Sequence, residues 1–364
     1  MEDRLPRKLA AILYYVRATH ESGHGWTNHP SPFIKYSTDS PNEARLLEGP
    51  ANTLAVDDTA AAQSSNFVKR FWAWIALLFL GVIWGYSISL AKMAMSGGAH
   101  PFGVTMWTSL IGAGFLLTLN AARRQPISVK SDVMWLYVVC GLLGTVVPAI
   151  LFFYAASRVP AGVLSITVTL APILTFLFAA LMGLERFASL RVLGVVCGAV
   201  AVVLLVGPET SLPDPSAVPW VLLACGAGAC YAVENMILTL RMPRGVNPYM
   251  MTCGMFIAAA VMITPVVIVT DSFVPLIWPW GQVEWAIIGI GATNAVAYGL
   301  FIYLISYAGP VFASQTGYTV TVFGVIWGMV IFGERHSVWI WLSLIVMLIG
   351  LALVLPRRHT RAAE

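Results

Sequence analysis

The sequence predicts an all-α fold: a polytopic membrane helical bundle of ten transmembrane helices in two inverted five-helix repeats. Three observations predict it. The 364-residue chain is 58% hydrophobic and only 10% charged, with a mean hydropathy of +0.79, whereas soluble domains carry roughly 25% charged residues. From Phe71 to Pro356 it divides into apolar stretches of bilayer-crossing length. Its basic residues fall almost entirely on one side of those stretches.

A hydrocarbon core of about 30 Å requires about 20 helical residues. The stretches 72–95, 101–119, 133–156, 160–183, 188–207, 217–239, 248–269, 284–307, 310–332 and 337–355 all lie close to that length. They are apolar on every side and separated by short links, which selects helices over a barrel of alternating ten-residue segments. The links leave no room for a soluble domain after residue 70. Four segments result: a tail over 1–66, a first repeat over 71–207, a second over 217–356, and a short basic tail over 357–364.

The first 66 residues differ in kind. They hold six basic and eight acidic side chains and three histidines, with frequent Pro, Ser, Asn and Gly from residue 22. This reads as a disordered cytosolic tail, or as residues upstream of the true start. Residues 7–18 can form a short amphipathic helix at the membrane surface. The run Leu9–Val16 is too short to span, and the acidic pair Glu2–Asp3 opposes a signal peptide.

With the N-terminus cytosolic, the inner segments hold twelve basic residues: Lys69, Arg70, Arg123, Arg124, Lys130, Arg186, Arg191, Arg241, Arg244, Arg357, Arg358 and Arg361. The outer loops hold two, Arg158 and Arg335. That bias predicts both termini in the cytosol, and the expected location is the plasma (inner) membrane.

Residues 160–186 align without gaps to 309–335, pairing Ser165 with Ser314, Thr167 with Thr316, Glu185 with Glu334 and Arg186 with Arg335. At the same offset Tyr154 meets Tyr303, and GVIWGY (81–86) resembles GAGACY (226–231). Five spans is an odd number, so the second copy enters the membrane from the opposite face. Many secondary transporters are built from such inverted repeats.

WGYSISLAK (84–92), the fourth-span block ending GLER, its echo FGER after span 9, and the glycine-rich fifth and tenth spans carry a resemblance. The chain resembles the drug/metabolite transporter superfamily with two EamA-type domains, over about residues 71–356. The resemblance implies a permease for a small metabolite working by alternating access. Where many members carry a basic residue in span 2, this chain has Met106-Trp107-Thr108, so no rule for substrate charge transfers from that position.

Two ionisable side chains lie well inside spans, Lys92 and Glu234. A charge at mid-span costs about 2.5–3.5 kcal/mol on insertion scales, so such residues face a cavity, a partner or the interface. Lys92, near the outer end of span 1, either snorkels to the surface or lines the substrate cavity. Glu234 is roughly 25 Å below the outer surface, near the inner third, too far down to pair with Lys92. It either snorkels inward or serves as a proton-coupling site, since a desolvated carboxyl binds a proton more readily than one in water.

Polar and aromatic residues in apolar spans supply the remaining cavity candidates: Trp84 and Ser87 on span 1, Tyr154 on span 3 and Thr169 on span 4, with Pro172 nearby. Asn294 and Tyr298 are four apart on span 8, and Gln315 and Tyr318 three apart on span 9, so each pair shares a helix face. Such residues bind either a neighbouring helix or a substrate. Glu185 and Glu334 read as fixing helix ends. Gly81/Gly85, Gly194/Gly198 and Gly324/Gly328 have the GxxxG spacing of close helix packing, with a homodimer left open. Pro148, Pro172 and Pro265 are expected to interrupt spans.

No cofactor or metal is expected. The five cysteines all lie within spans and show no CxxC or Cys/His pairing, and no histidine lies inside a span. No GxSxG, HExxH or phosphate-cradling loop occurs, which weighs against the rival readings of an integral-membrane enzyme or a scaffold. The expected partners are a small-molecule substrate and the lipid bilayer, with no nucleic acid.

Overall fold

The computed structural model describes residues 51–124, 127–212, 214–243 and 246–354. The expectations for the tail up to residue 50 and for 357–364 lie outside the described residues. The chain separates into two units, Met1–Ala62 and Gln63–Glu364. Of the first unit, 51–62 is described, as helix through an alanine-rich stretch, in keeping with the high helix propensity of alanine.

The described residues form helices and no strand. Ten of them make the ladder: α1 (Ala51–Ser96), α2 (Pro101–Ala122), α3 (Ser131–Ala156), α4 (Ala161–Leu181), α5 (Ser189–Val206), α6 (Val218–Arg241), α7 (Pro248–Val269), α8 (Gln282–Ala308), α9 (Thr316–Phe332) and α10 (Val338–Val354). Eight are long and apolar enough to cross a membrane, counting Phe71–Ser96 within α1, while α9 and α10 are apolar but shorter, at 17 residues each. The protein is an integral membrane protein with two five-helix halves.

Repeated start signals mark equivalent helices. His100 Nδ1 accepts the Phe102 N–H at 3.3 Å just before Pro101 opens α2. Asn247 Oδ1 accepts the Tyr249 N–H at 2.9 Å just before Pro248 opens α7. In both, a side chain satisfies a donor the helix leaves free, and proline occupies the first turn, where its missing N–H costs nothing.

The interruptions depart in part from expectation. Pro148 has no N–H to give the Gly144 carbonyl four residues back, and the helix there widens into a π-turn over Leu142–Val146. Pro172 likewise has no N–H to give the Val168 carbonyl, and α4 breaks at Thr169 into Ala161–Val168 and Leu170–Leu181. Pro265 does not interrupt its span: α7 runs continuously through it. The span expected over 310–332 is broken instead, with a helical turn Pro310–Ala313 preceding α9. Three i→i−3 bonds tighten the backbone between them, Gln315 N to Phe312 O, Gly317 N to Ser314 O and Tyr318 N to Gln315 O.

Packing follows the repeat. α2 lies against its counterpart α7, α5 against α10, and the first half of α4 crosses α9. A Cβ on Gly194 would stand 2.7 Å from the Gly350 carbonyl oxygen, and one on Gly350 would stand 2.8 Å from that of Gly194. Only glycine at both positions lets α5 and α10 approach so closely. Gly85 similarly meets the α9 backbone at Gly324, and Gly324 meets the Ser165 side chain on α4. The GxxxG pairs therefore pack repeat against repeat.

The core is divided along the bundle. The largest cluster joins Leu90 and Ala94 of α1, Phe153 of α3, Leu164 and Ile166 of α4, and Ile287 and Ile290 of α8, and continues to Phe176 and Ala180 of α4 and Val354 of α10. Smaller clusters stand apart from it at both ends: Met106 with Ile263 and Val267 in the half predicted to be outer, and in the other half Leu77 and Leu80 with Ala297 and Leu304, and Leu136 and Cys140 with Met251 and Met255.

Candidate functional site

The separated halves of the core frame a cluster built from five helices. Glu234, on α6, is 9% exposed and lies within electrostatic reach of Tyr231 on its own helix, Tyr298 on α8 and Cys140 on α3. Its carboxyl rests on the π-turn of α3: a Cβ on Gly144 would meet Glu234 Cδ at 2.6 Å and Oε1 at 2.8 Å. Gly144 is midway along α3, so the carboxyl reaches the middle of the bundle rather than snorkelling to its end. Among the described residues no side chain or backbone donor hydrogen-bonds it, and no salt bridge reaches it. A buried carboxyl without a cation is stable in its neutral form, or when a cation arrives.

Aromatic rings extend the cluster across the bundle. Tyr298 stands edge-on to Trp84 of α1 at 5.2 Å and to Phe256 of α7 at 5.4 Å, and Trp84 also meets Phe301 at 5.8 Å. These separations are those of favourable edge-to-face pairs. Trp84, Tyr298, Tyr231 and Asn294 all keep partial exposure, and Asn294 makes no hydrogen bond among the described residues. The structure thus gathers Trp84, Tyr298 and Glu234 of the predicted residues, with Asn294 one turn from Tyr298.

The other candidates sit elsewhere. Ser87 is buried and donates to the Trp84 carbonyl at 2.7 Å, within its own helix. Thr169 is buried at the α4–α9 crossing, hydroxyl to hydroxyl with Thr321, which in turn donates to the Gly317 carbonyl at 2.7 Å. Tyr154 lies at the predicted outer end, 6.2 Å ring to ring from Phe102 and 6.3 Å from His100. Gln315 stands at the residue before α9 without a side-chain bond to cap it, with Tyr318 in the first turn, both partly exposed. Lys92 neither snorkels nor faces the aromatic cluster. Its Nζ donates to the Val159 carbonyl at 2.7 Å and lies 5.8 Å from the Phe332 ring.

Sequence reasoning missed Tyr231, Gly144 and Cys140. Tyr231 was within reach of it, being three residues before Glu234 and so on the same helix face. Gly144 carried a weaker signal, a glycine four residues before a proline inside a span. Nothing in the sequence pointed to Cys140. Among the described residues no group of three His, Cys, Asp or Glu could hold a metal.

Ten apolar helices in inverted five-helix halves, with one buried carboxyl among the described residues, define an integral membrane protein of the inverted-repeat class. The sequence profile of the EamA-like transporter family matches residues 71–207 and 218–355, and the chain belongs to that family, whose members are membrane transporters of the drug/metabolite type. The chain is similar to Protein PecM of Dickeya dadantii (strain 3937), 25% identical over 146 residues, or 40% of this chain. That match spans about half of the relative's length, 48%. A solved crystal structure shares the fold with a TM-score of 0.54 and 21% identity, over 78% of this chain and 96% of its own.

Proposed function

We propose that the protein is a secondary transporter of a small amphipathic metabolite, an amino acid or related solute. It works by alternating access in the plasma membrane with both termini cytosolic. The observation that carries this reading is the Glu234 carboxyl, buried at mid-bundle without a hydrogen-bond or ion-pair partner among the described residues and within electrostatic reach of Tyr298, whose ring stands edge-on to Trp84. A solute amine or a proton supplies the positive charge that the carboxyl lacks, and the rings cover the apolar part of the solute. The π-turn of α3, the break within α4 and the break before α9 support the same reading, because irregular backbone at membrane depth is tolerated where it is buried in protein or lines a cavity. Family membership and the charge bias of the loops support the class and the orientation.

A thermal-shift screen of the purified protein against a metabolite library tests it. A solute that binds only the folded state raises the melting temperature. At least one solute should do so, and Trp84→Ala should remove the shift while leaving the unliganded protein folded. A library in which no solute shifts the protein, or an identical shift in Trp84→Ala, contradicts the proposal.

A further inference from the structure

The two arms of the repeat end differently, and the difference is written in the chain. At the predicted outer end, Glu334 reaches across from the end of α9 to the start of α4. Its Oε1 accepts the Ala161 N–H at 2.6 Å and its Oε2 the Gly162 N–H at 3.0 Å. α4 begins after Pro160, which offers no side-chain acceptor, so Glu334 supplies the cap from another helix. Gly328 makes room for it, since a Cβ there would stand 2.6 Å from Glu334 Oε2, and Gly162 makes room for the neighbouring His336 ring. Lys92 ties α1 to the same connection through the Val159 carbonyl, 2.7 Å away.

The repeat counterpart of Glu334 is Glu185, and it does none of this. It pairs with Arg191 at 2.8 Å, on the start of its own following helix. It could not make the same cap, because the counterpart of Ala161 is Pro310, which has no N–H. At the offset that matches 81–86 to 226–231, the counterpart of Lys92 is Ile237. The sequence therefore builds a bidentate, charge-assisted closure at one end and forbids it at the other.

We infer that Glu334 is a positioning residue of the transport cycle, the latch that holds the α4–α9 gate shut at the predicted outer end. The resting protein is therefore biased toward opening at the opposite end, where Glu185 makes no such closure. The inference rests on the alternating-access reading for its role in transport, but the gate itself can be read without any solute.

The test uses the full chain in nanodiscs with its five native cysteines replaced and a single reporter, Ser165→Cys. Ser165 is fully buried between α4 and α9, its hydroxyl 3.2 Å from the Thr321 carbonyl, and it becomes accessible when the latched end opens. Glu334→Gln should raise its rate of reaction with a polar thiol reagent about tenfold or more, the scale of one lost charge-assisted hydrogen bond. Ala161→Pro should raise it as well. Proline suits the first helical position, and Pro160 at ψ 144° already has the extended backbone that a following proline requires. That variant removes one latch bond and leaves Glu334 intact, so it decides the matter if Glu334→Gln does not fold. Glu185→Gln should leave the rate unchanged. Ala161→Pro should raise the rate with a melting temperature within a few degrees of the parent's, a combination that mere loosening does not produce. Unchanged Ser165→Cys reactivity in both latch variants, or a raised rate that comes only with a collapsed melting temperature, overturns the inference. A failure to find a transported solute bears on the proposed function and leaves this result standing.

Discussion

Gly144→Ala separates the seat of the Glu234 carboxyl from the stability of the bundle. The new Cβ would stand 2.6 Å from Cδ, 2.8 Å from Oε1 and 3.0 Å from Cγ of Glu234. Ordinary contact begins near 3.4 Å, so the carboxyl must withdraw by roughly 0.8 Å, and a misplacement near 1 Å in a functional constellation can cost about a hundredfold. The atoms displaced are the far end of a flexible side chain, and Gly144 has none of the left-handed backbone that disfavours alanine. Alanine also gains about 0.5–1 kcal/mol over glycine inside a helix, so the stability should stay within about 1 kcal/mol of the parent. The assay pairs a melting curve with proton-driven uptake, in proteoliposomes, of a solute identified by thermal shift. Uptake should fall about tenfold to a hundredfold, Glu234→Gln should match it, and the double variant should add little. Parental uptake in Gly144→Ala, or a melting temperature that collapses along with activity, would refute the reasoning.

Two further outcomes follow from the geometry. Gly194→Val drives a side chain into the Gly350 backbone, from which only 2.7 Å separates even its Cβ, so α5 and α10 must part. Thermal unfolding in detergent should show a loss of about 1–3 kcal/mol or more, and an unchanged melting temperature would dismiss the contact. His336, in the α9–α10 connection, is pushed below the ordinary histidine range by burial, against the opposing pull of the Glu334 carboxylate 3.7 Å away. The unfolded chain then binds the proton more tightly. Stability is complete above about pH 6.5 and declines as the pH falls through that value. The melting temperature should be lower near pH 5 than near pH 7.5, and His336→Gln should flatten the dependence; an equal slope in the variant assigns the effect elsewhere.

The ladder of helices was legible because length and apolarity alone decide what crosses a bilayer, and the inverted halves because five is odd. The breaks were legible only in part: Pro148 and Pro172 disturb their helices and Pro265 does not. The break before α9 has no proline at its centre and could not be read. Glu234 stood out because a carboxyl in an apolar span needs a reason, and Tyr231 follows from helical spacing. That Gly144 seats it and Tyr298 faces it depends on how α3, α6 and α8 pack, which no local pattern encodes. Lys92 shows the same limit. Sequence gave it a choice of surface or cavity, and packing supplied a third answer, the Val159 carbonyl. Glu334 reads as fixing a helix end in the sequence, and so it does, but the helix is α4, 172 and 173 residues away along the chain.

Proton-coupled movement of a solute should depend on Glu234. Proteoliposomes containing the purified protein, loaded at one pH and diluted into another, report it directly as accumulation of a radiolabelled solute chosen by its thermal shift. Accumulation above equilibrium is expected in the parent, none in Glu234→Gln, and solute exchange at equal pH in both. A Glu234→Gln protein that still concentrates the solute when only a proton gradient is imposed would contradict it.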